Sequence, residues 1–300
     1  MAASEGSFFI PKSKSATKFL PDAPPALTVC SGAIVSFETT DISYERLSRG
    51  EQVEVEEINI VTGPLYVKDA QPGDCLEVEV LGIEITRCWS VWIADERVCG
   101  CLASKLAATG RSSSVRELEL RGGSHVMVSD RLQLPLKPMI GCIATAPAPH
   151  SSHAFGCGCS TFEPTYEHGG NMDLKELSTG SKVLLPVLCE GGMLYVGDLH
   201  ACMAAGEPAW VGFEAAGVAR VRDVIFTAVG TDHEDALQKA LEQAYDHLTG
   251  KEGSLPDSGN QVLTAEEAFA YCVAKADVRF GGPASRQVLI KVSDVSQFIV

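Results

Sequence analysis

Nowhere does this 300-residue chain reach the roughly 18 consecutive apolar residues that a membrane-spanning helix needs. Residues 1–15 also lack the apolar core of a secretory signal, although Lys12, Lys14 and Lys18 give the start a basic arm. No C-x-x-C pair occurs among the eleven cysteines; the closest spacings are Cys99-Gly-Cys101 and Cys157-Gly-Cys159, which is not zinc-ribbon spacing. An odd count cannot pair fully within one chain, and most of these residues sit among Val, Leu, Ala and Gly, where a thiol acts as a small apolar side chain. Basic residues are scarce as well: 24 Lys plus Arg face 39 Asp plus Glu, for a net charge of −15. That balance argues against nucleic acid or an anionic membrane as the main partner, because both reward a basic patch. Repeats of fixed period and low-complexity segments are absent too. These absences point to a reduced, cytoplasmic enzyme acting on a small neutral or cationic substrate.

What is present is an ordinary globular composition, 45% hydrophobic and 21% charged. The alternation of Val29, Ser31, Ala33, Val35 and Phe37 predicts one or two strands broken at Ser31-Gly32. Residues 42–57 show no clear period and read as loop with one helical turn. Val61 to Pro64 reads as a turn before a short strand at Leu65–Val67, and Gln71 to Asp74 as a second turn. Leu76 to Leu81 alternates strictly, with Glu77 and Glu79 facing outward. Further strands are expected at 115–120, 125–128, 140–145, 182–188, 193–196, 211–214 and 218–227, with 132–138 extended and a short helix at 99–108. Two capping-box sequences, Thr231 to Glu234 and Thr264 to Glu267, introduce helices at 236–248 and 268–276 before a closing strand at 288–292. The fold class is therefore mainly β, a β-sandwich-like body over 1–230, with a C-terminal α+β layer over 231–300 packed on it as one continuous domain.

Chemistry concentrates between Pro138 and Glu214. His168-Gly-Gly-Asn171-Met-Asp173 and Gly197-Asp198-Leu199-His200 put polar groups on Gly-punctuated segments, where functional side chains usually sit. Asp198 and His200, two apart, point from one face of a strand. Such a pair can hold a divalent metal, act as acid and base, or only tidy a turn. Glu38 and Asp41, at the end of a strand, are either metal ligands or a solvated turn. His150 and His153 on a loop read as structural or exposed rather than as ligands, and Cys157 and Cys159 as buried inert thiols.

The ordered set Phe37-Glu-Thr-Thr-Asp41, Val61-Thr-Gly-Pro-Leu-Tyr-Val67 with Pro72-Gly-Asp74, Pro138-Met-Ile-Gly141, His168 to Asp173, Leu185-Pro-Val187 and Gly197 to Ala201 resembles the acetamidase/formamidase family. The resemblance spans about Phe37 to Arg222. It implies a β-sandwich-rich fold, hydrolysis of short-chain amides to acid and ammonia, a divalent metal (zinc, with calcium as the alternative) and a homo-oligomer. Carried over by motif are Asp41, Asn171, Asp173, Asp198, His200, Glu207 and Glu214, with Glu38 as a further candidate. On this reading Asp41, Asp198 and His200, with Glu38 and Glu214, hold the metal. Glu207 serves as ligand or general base, Asn171 donates to the substrate oxygen, and Asp173 locks its loop or takes a direct part. The family's Gln-Gly-Asp-Gly-Glu run is replaced here by Met203-Ala-Ala-Gly-Glu207. That departure keeps open an idle small-molecule or metal binder, and Cys157 or Cys159 keeps open a thiol amidase.

Overall fold

The computed structural model of the chain describes residues 7–92, 110, 113–149, 159–162, 165–205, 207, 210–226, 277–281 and 287–291. Contacts divide the chain into one unit of Met1–Pro72 with Leu76–Asp223 and another of Gly73–Cys75 with Val224–Val300. The first is almost wholly β, as the alternation predicts. Its frame is a run of hydrogen-bonded strands in the spatial order Leu132–Pro135, His125–Ser129, Ser114–Arg121, Cys75–Trp92, Phe213–Phe226, Leu194–Cys202, Met139–Ala144 and Gly169–Asn171. Among the described residues no helix is long and apolar enough to cross a membrane.

The strand Leu194–Cys202 organises the site. Along one edge it pairs antiparallel with Met139–Ala144 over its whole useful length, Met139 opposite His200 and Ala144 opposite Tyr195. Along the other edge it changes partner. Leu194, Val196 and Gly197 pair with Val61–Val67, whereas Leu199, His200 and Cys202 pair with Phe213–Phe226. Asp198 sits at the changeover with φ 52°, and its N–H reaches back to the Ile60 carbonyl at 3.3 Å. A left-handed residue there turns the strand from one partner to the next.

The N-terminal half of the same strand belongs to an apolar core. Tyr195 packs with Phe19, Val61, Cys142, Ala144, Cys189 and Met193, edge-on to the Phe19 ring at 5.6 Å. Its hydroxyl donates to the Leu20 carbonyl at 3.2 Å and accepts from the Leu20 N–H at 3.4 Å, so the buried phenol is satisfied. Each large side chain buried in this way stabilises the fold by about 1.5–3 kcal/mol.

Several expectations differ from the structure. Val61–Val67 is one strand rather than a turn followed by a strand. Gly63 permits this, because a Cβ there would meet the Leu194 carbonyl oxygen at 2.8 Å, and only glycine lets the two backbones stay side by side. Residues 42–48 form a seven-residue helix where a loop with one helical turn is expected. Its sequence has little periodicity; tertiary anchors hold it, with Ser43 donating to the Glu57 carbonyl and Arg46 ion-paired to Glu51 and Glu57. Residues 213–226 are a single strand, and 169–171, expected within a loop, pair with 142–144. Glu77 is buried rather than outward, its carboxylate met at 2.6 Å by Nζ of Lys182, a residue that itself stays exposed.

In the second unit Asp277–Gly281 pairs antiparallel with Gln287–Lys291, the strand expected to close the chain. The helices expected at 99–108, 236–248 and 268–276 lie outside the described residues.

Candidate active site

Cross-strand register places the central pair. His200 lies opposite Glu214, and His200 Nε2 is 3.4 Å from Glu214 Oε2, with both side chains almost wholly buried. Asp198, two residues back on the same face, brings Oδ1 to 3.5 Å from the same nitrogen. Asp173 follows the Gly169–Asn171 strand and folds back over Gly141, whose carbonyl accepts the N–H groups of Met172 at 2.9 Å and Asp173 at 3.1 Å. Its Oδ1 stands 3.8 Å from His200 Nε2. Gly141 is the common floor: a Cβ at this position would come within 2.7 Å of Asp198 Oδ2 and 2.8 Å of Asp173 Oδ1. Gly212 closes the other side, pressed against His200 Nδ1, while its N–H donates to Glu214 Oε1 at 2.8 Å.

Asp173, Asp198 and Glu207 all adopt left-handed backbone, with φ 45°, 52° and 40°. For residues other than glycine this conformation is costly, and it gathers where surrounding structure enforces a functional geometry. Asp41, just ahead of the 42–48 helix, is buried but makes no capping hydrogen bond with its side chain.

The electrostatics are those of a crowded anionic cage. Burial first, then the charges of Glu214 and Asp198, hold the Asp41 carboxyl well above its ordinary range. Burial raises Asp173, Glu207 and Glu214 too, against the opposing charge of His200. For His200, burial works against the imidazolium, but Glu214, Asp198 and Asp173 outweigh it and hold the ring well above its usual value. Asp41 Oδ2, Asp173 Oδ1, Asp198 Oδ1 and His200 Nδ1 are buried without hydrogen-bond partners.

With the Asn171 amide turned so that its nitrogen faces the carboxylates, that nitrogen donates to Asp173 Oδ2 at 3.1 Å and Asp198 Oδ2 at 3.2 Å. Its oxygen then accepts from Asn59 Nδ2 at 3.2 Å. An amide nitrogen has two hydrogens, so both are used on the carboxylates.

The structure thus brings together Asp173, Asp198, His200, Glu207 and Glu214, with Asn171 bridging two of them and Asp41 within reach of their charge. Glu38 stands apart from this cluster: its carboxylate takes Lys12, through Nζ at 3.4 Å and the backbone N–H at 3.1 Å. Ala204 and Ala205, where the sequence departs from the expected run, are exposed. Gly206, His150, His153, Cys157 and the Cys159 side chain lie outside the described residues. Of the other cysteines, Cys88, Cys142, Cys189 and Cys202 are all raised by burial, the opposite of thiolate activation. Sequence reasoning missed Asn59, Gly141, Gly212 and Tyr44. Asn59 at φ 56° had one signal, an Asn ahead of a strand. Tyr44 is buried, and Glu214, Asp198, Asp41 and Glu207 all act on its phenol.

Two sets offer three metal-capable groups each, Asp173 with His200 and Glu207, and Asp198 with His200 and Glu214, their ligand atoms within 4.8 Å of one another. Carboxylate oxygens buried without a donor around one imidazole are a donor set that suits a divalent cation.

The acetamidase/formamidase profile matches residues 10–154 and 150–277. The chain belongs to the acetamidase/formamidase family. An acetamidase structure from Bacillus halodurans superposes with a TM-score of 0.63 at 26% identity, covering 97% of this chain and 98% of that one. A candidate formamidase of Schizosaccharomyces pombe is 26% identical over 244 residues, 64% of this chain and 59% of that protein. A formamidase of Methylophilus methylotrophus is 24% identical over 240 residues, 64% of this chain and 59% of that protein. The aligned part therefore spans less than two thirds of these relatives. A γ-lactamase from Delftia acidovorans, at 20% identity and a TM-score of 0.54, shares the fold.

Proposed function

We propose that the protein hydrolyses short linear amides of the formamide and acetamide type to carboxylate and ammonia, with a divalent metal, zinc first, held by Asp198, His200 and Glu214 beside Asp41. The reading is carried by one observation: buried carboxylates converge on a single buried imidazole, and several of their oxygens have no partner. Family membership supports the same chemistry. Bound there, such an ion would polarise the amide carbonyl and lower the pKa of a water to about 7.

The chain's own groups supply the rest. Burial, then Asp173, push Glu207 upward, so this carboxyl holds a proton near neutral pH and can pass it to the leaving nitrogen. Asn171 has spent its amide protons on Asp173 and Asp198, so its role is to space them rather than to donate to the substrate oxygen.

The test is ammonia release from formamide, acetamide and propionamide, before and after chelation and after zinc is restored. Turnover that chelation abolishes and zinc restores is expected. Turnover untouched by chelation overturns the metal, and no ammonia from a protein that still binds zinc favours an idle metal-binding member.

A further inference from the structure

The Asn171 amide spaces two carboxylates only while its nitrogen faces them and its oxygen finds a donor behind. Asn59 provides that donor: its Nδ2 lies 3.2 Å from the turned oxygen and at the same distance from the turned nitrogen, and as an NH2 it can donate only to the oxygen. The segment holds Asp198 a second way, since the neighbouring Ile60 carbonyl accepts the Asp198 N–H at 3.3 Å. Gly197 fits tightly at this point: a Cβ there would sit 2.3 Å from the same carbonyl oxygen. Asn59 itself is left-handed at φ 56°, a conformation that Asn and Gly accept best. Residue 59 therefore needs both an unusual backbone and a donating side chain.

We infer that Asn59 is a positioning residue of the amide-hydrolysing site, fixing the Asn171 amide and through it the spacing of Asp173 and Asp198. The inference rests on the proposed function and extends it to a residue that touches neither substrate nor metal. A partner of this kind behind a ligand usually matters by about 10–100-fold in activity or metal affinity.

Two substitutions separate this role from that of a turn residue. Asn59→Gly keeps the left-handed backbone and removes the donor. Asn59→Asp keeps the shape and sets a carboxylate against the Asn171 oxygen, so that either orientation of the amide leaves an oxygen facing a carboxylate. Relative to wild type, kcat should fall about tenfold in Asn59→Gly and about 100-fold in Asn59→Asp, with KM changed less than threefold and the Tm of the metal-free protein nearly constant in Asn59→Gly. Zinc affinity, measured by calorimetry on the metal-free protein, should follow the same order whether or not ammonia is released. In an Asn171→Ala background, Asn59→Asp should add nothing further. Asn59→Asp with wild-type turnover and zinc affinity overturns the inference, as do effects that multiply with those of Asn171→Ala. Equal losses in both variants that follow a fall in Tm also overturn it, leaving only a turn role. A wild type that neither binds zinc nor releases ammonia overturns the proposed function and takes the positioning role with it.

Discussion

Tyr195 and Asp198 stand three positions apart on the strand Leu194–Cys202, and the two halves they represent obey opposite rules. At Tyr195 the side chain is apolar except for a hydroxyl that both donates and accepts, and its packing with Phe19 is ordinary core packing. At Asp198 the backbone turns left-handed, and around Asp198 and His200 like charges crowd together and buried polar atoms have no partners. Both halves share the strand Met139–Ala144 as neighbour, so the difference is not one of scaffold. A strand can hold a locally unfavourable constellation when the adjoining core fixes its register.

The comparison breaks most visibly at Asp198. Asn is isosteric and favours left-handed backbone, so Asp198→Asn removes charge without disturbing the chain. Turnover should fall at least about 10²-fold, whereas the metal-free protein should melt at a higher temperature, because one term of the repulsion is gone. A variant that keeps turnover and melts lower would place Asp198 among the structural residues. The converse substitution, Tyr195→Phe, should cost about 1 kcal/mol in urea unfolding, the usual net worth of a hydrogen bond, and leave kcat unchanged. A fall in kcat with stability intact would show that the core half is part of the site.

A smaller effect tests whether every awkward buried carboxylate belongs to function. Asp223 lies outside the cage, and burial pushes its carboxyl up to about 7 against the pull of its own amide. Its native form therefore binds a proton that the unfolded chain has released, and stability should fall as pH rises from about 4 to about 7, by at most about 1.4 kcal/mol per pH unit. Asp223→Asn should flatten that slope in denaturation curves and leave turnover alone. An unchanged slope would show that Asp223 titrates normally.

Much of this was legible in the sequence for physical reasons. Period-two alternation disclosed most strands, and spacing put Asp198 and His200 on one face. The ordered motifs supplied Asp173, Glu207 and Glu214. What was hidden depends on partners distant along the chain. Glu38, a ligand candidate in the sequence, carries Lys12, a partner that no local pattern announces. Gly63 in Val61-Thr-Gly-Pro64 reads as a turn until the Leu194 carbonyl oxygen is found where its Cβ would be. With its amide turned, Asn171 faces Asp173 and Asp198, an arrangement that its position in the sequence does not announce. The 42–48 helix is held by anchors rather than by its own periodicity, so the sequence announced one turn and not its full length.

The change of partner along 194–202 also bears on how such a protein can diverge. His200, Glu214 and Gly141 are set by the pairing of strands, not by the loops that join them. Lengthening or rewriting a loop leaves those three where they are, as at exposed Ala204 and Ala205. A slip of one residue in 213–226 would instead carry Glu214 to the opposite face and dismantle the cage at a stroke. Change in an exposed turn such as the one at Ala204 and Ala205 is therefore tolerated by the cage in a way that a change of strand register is not.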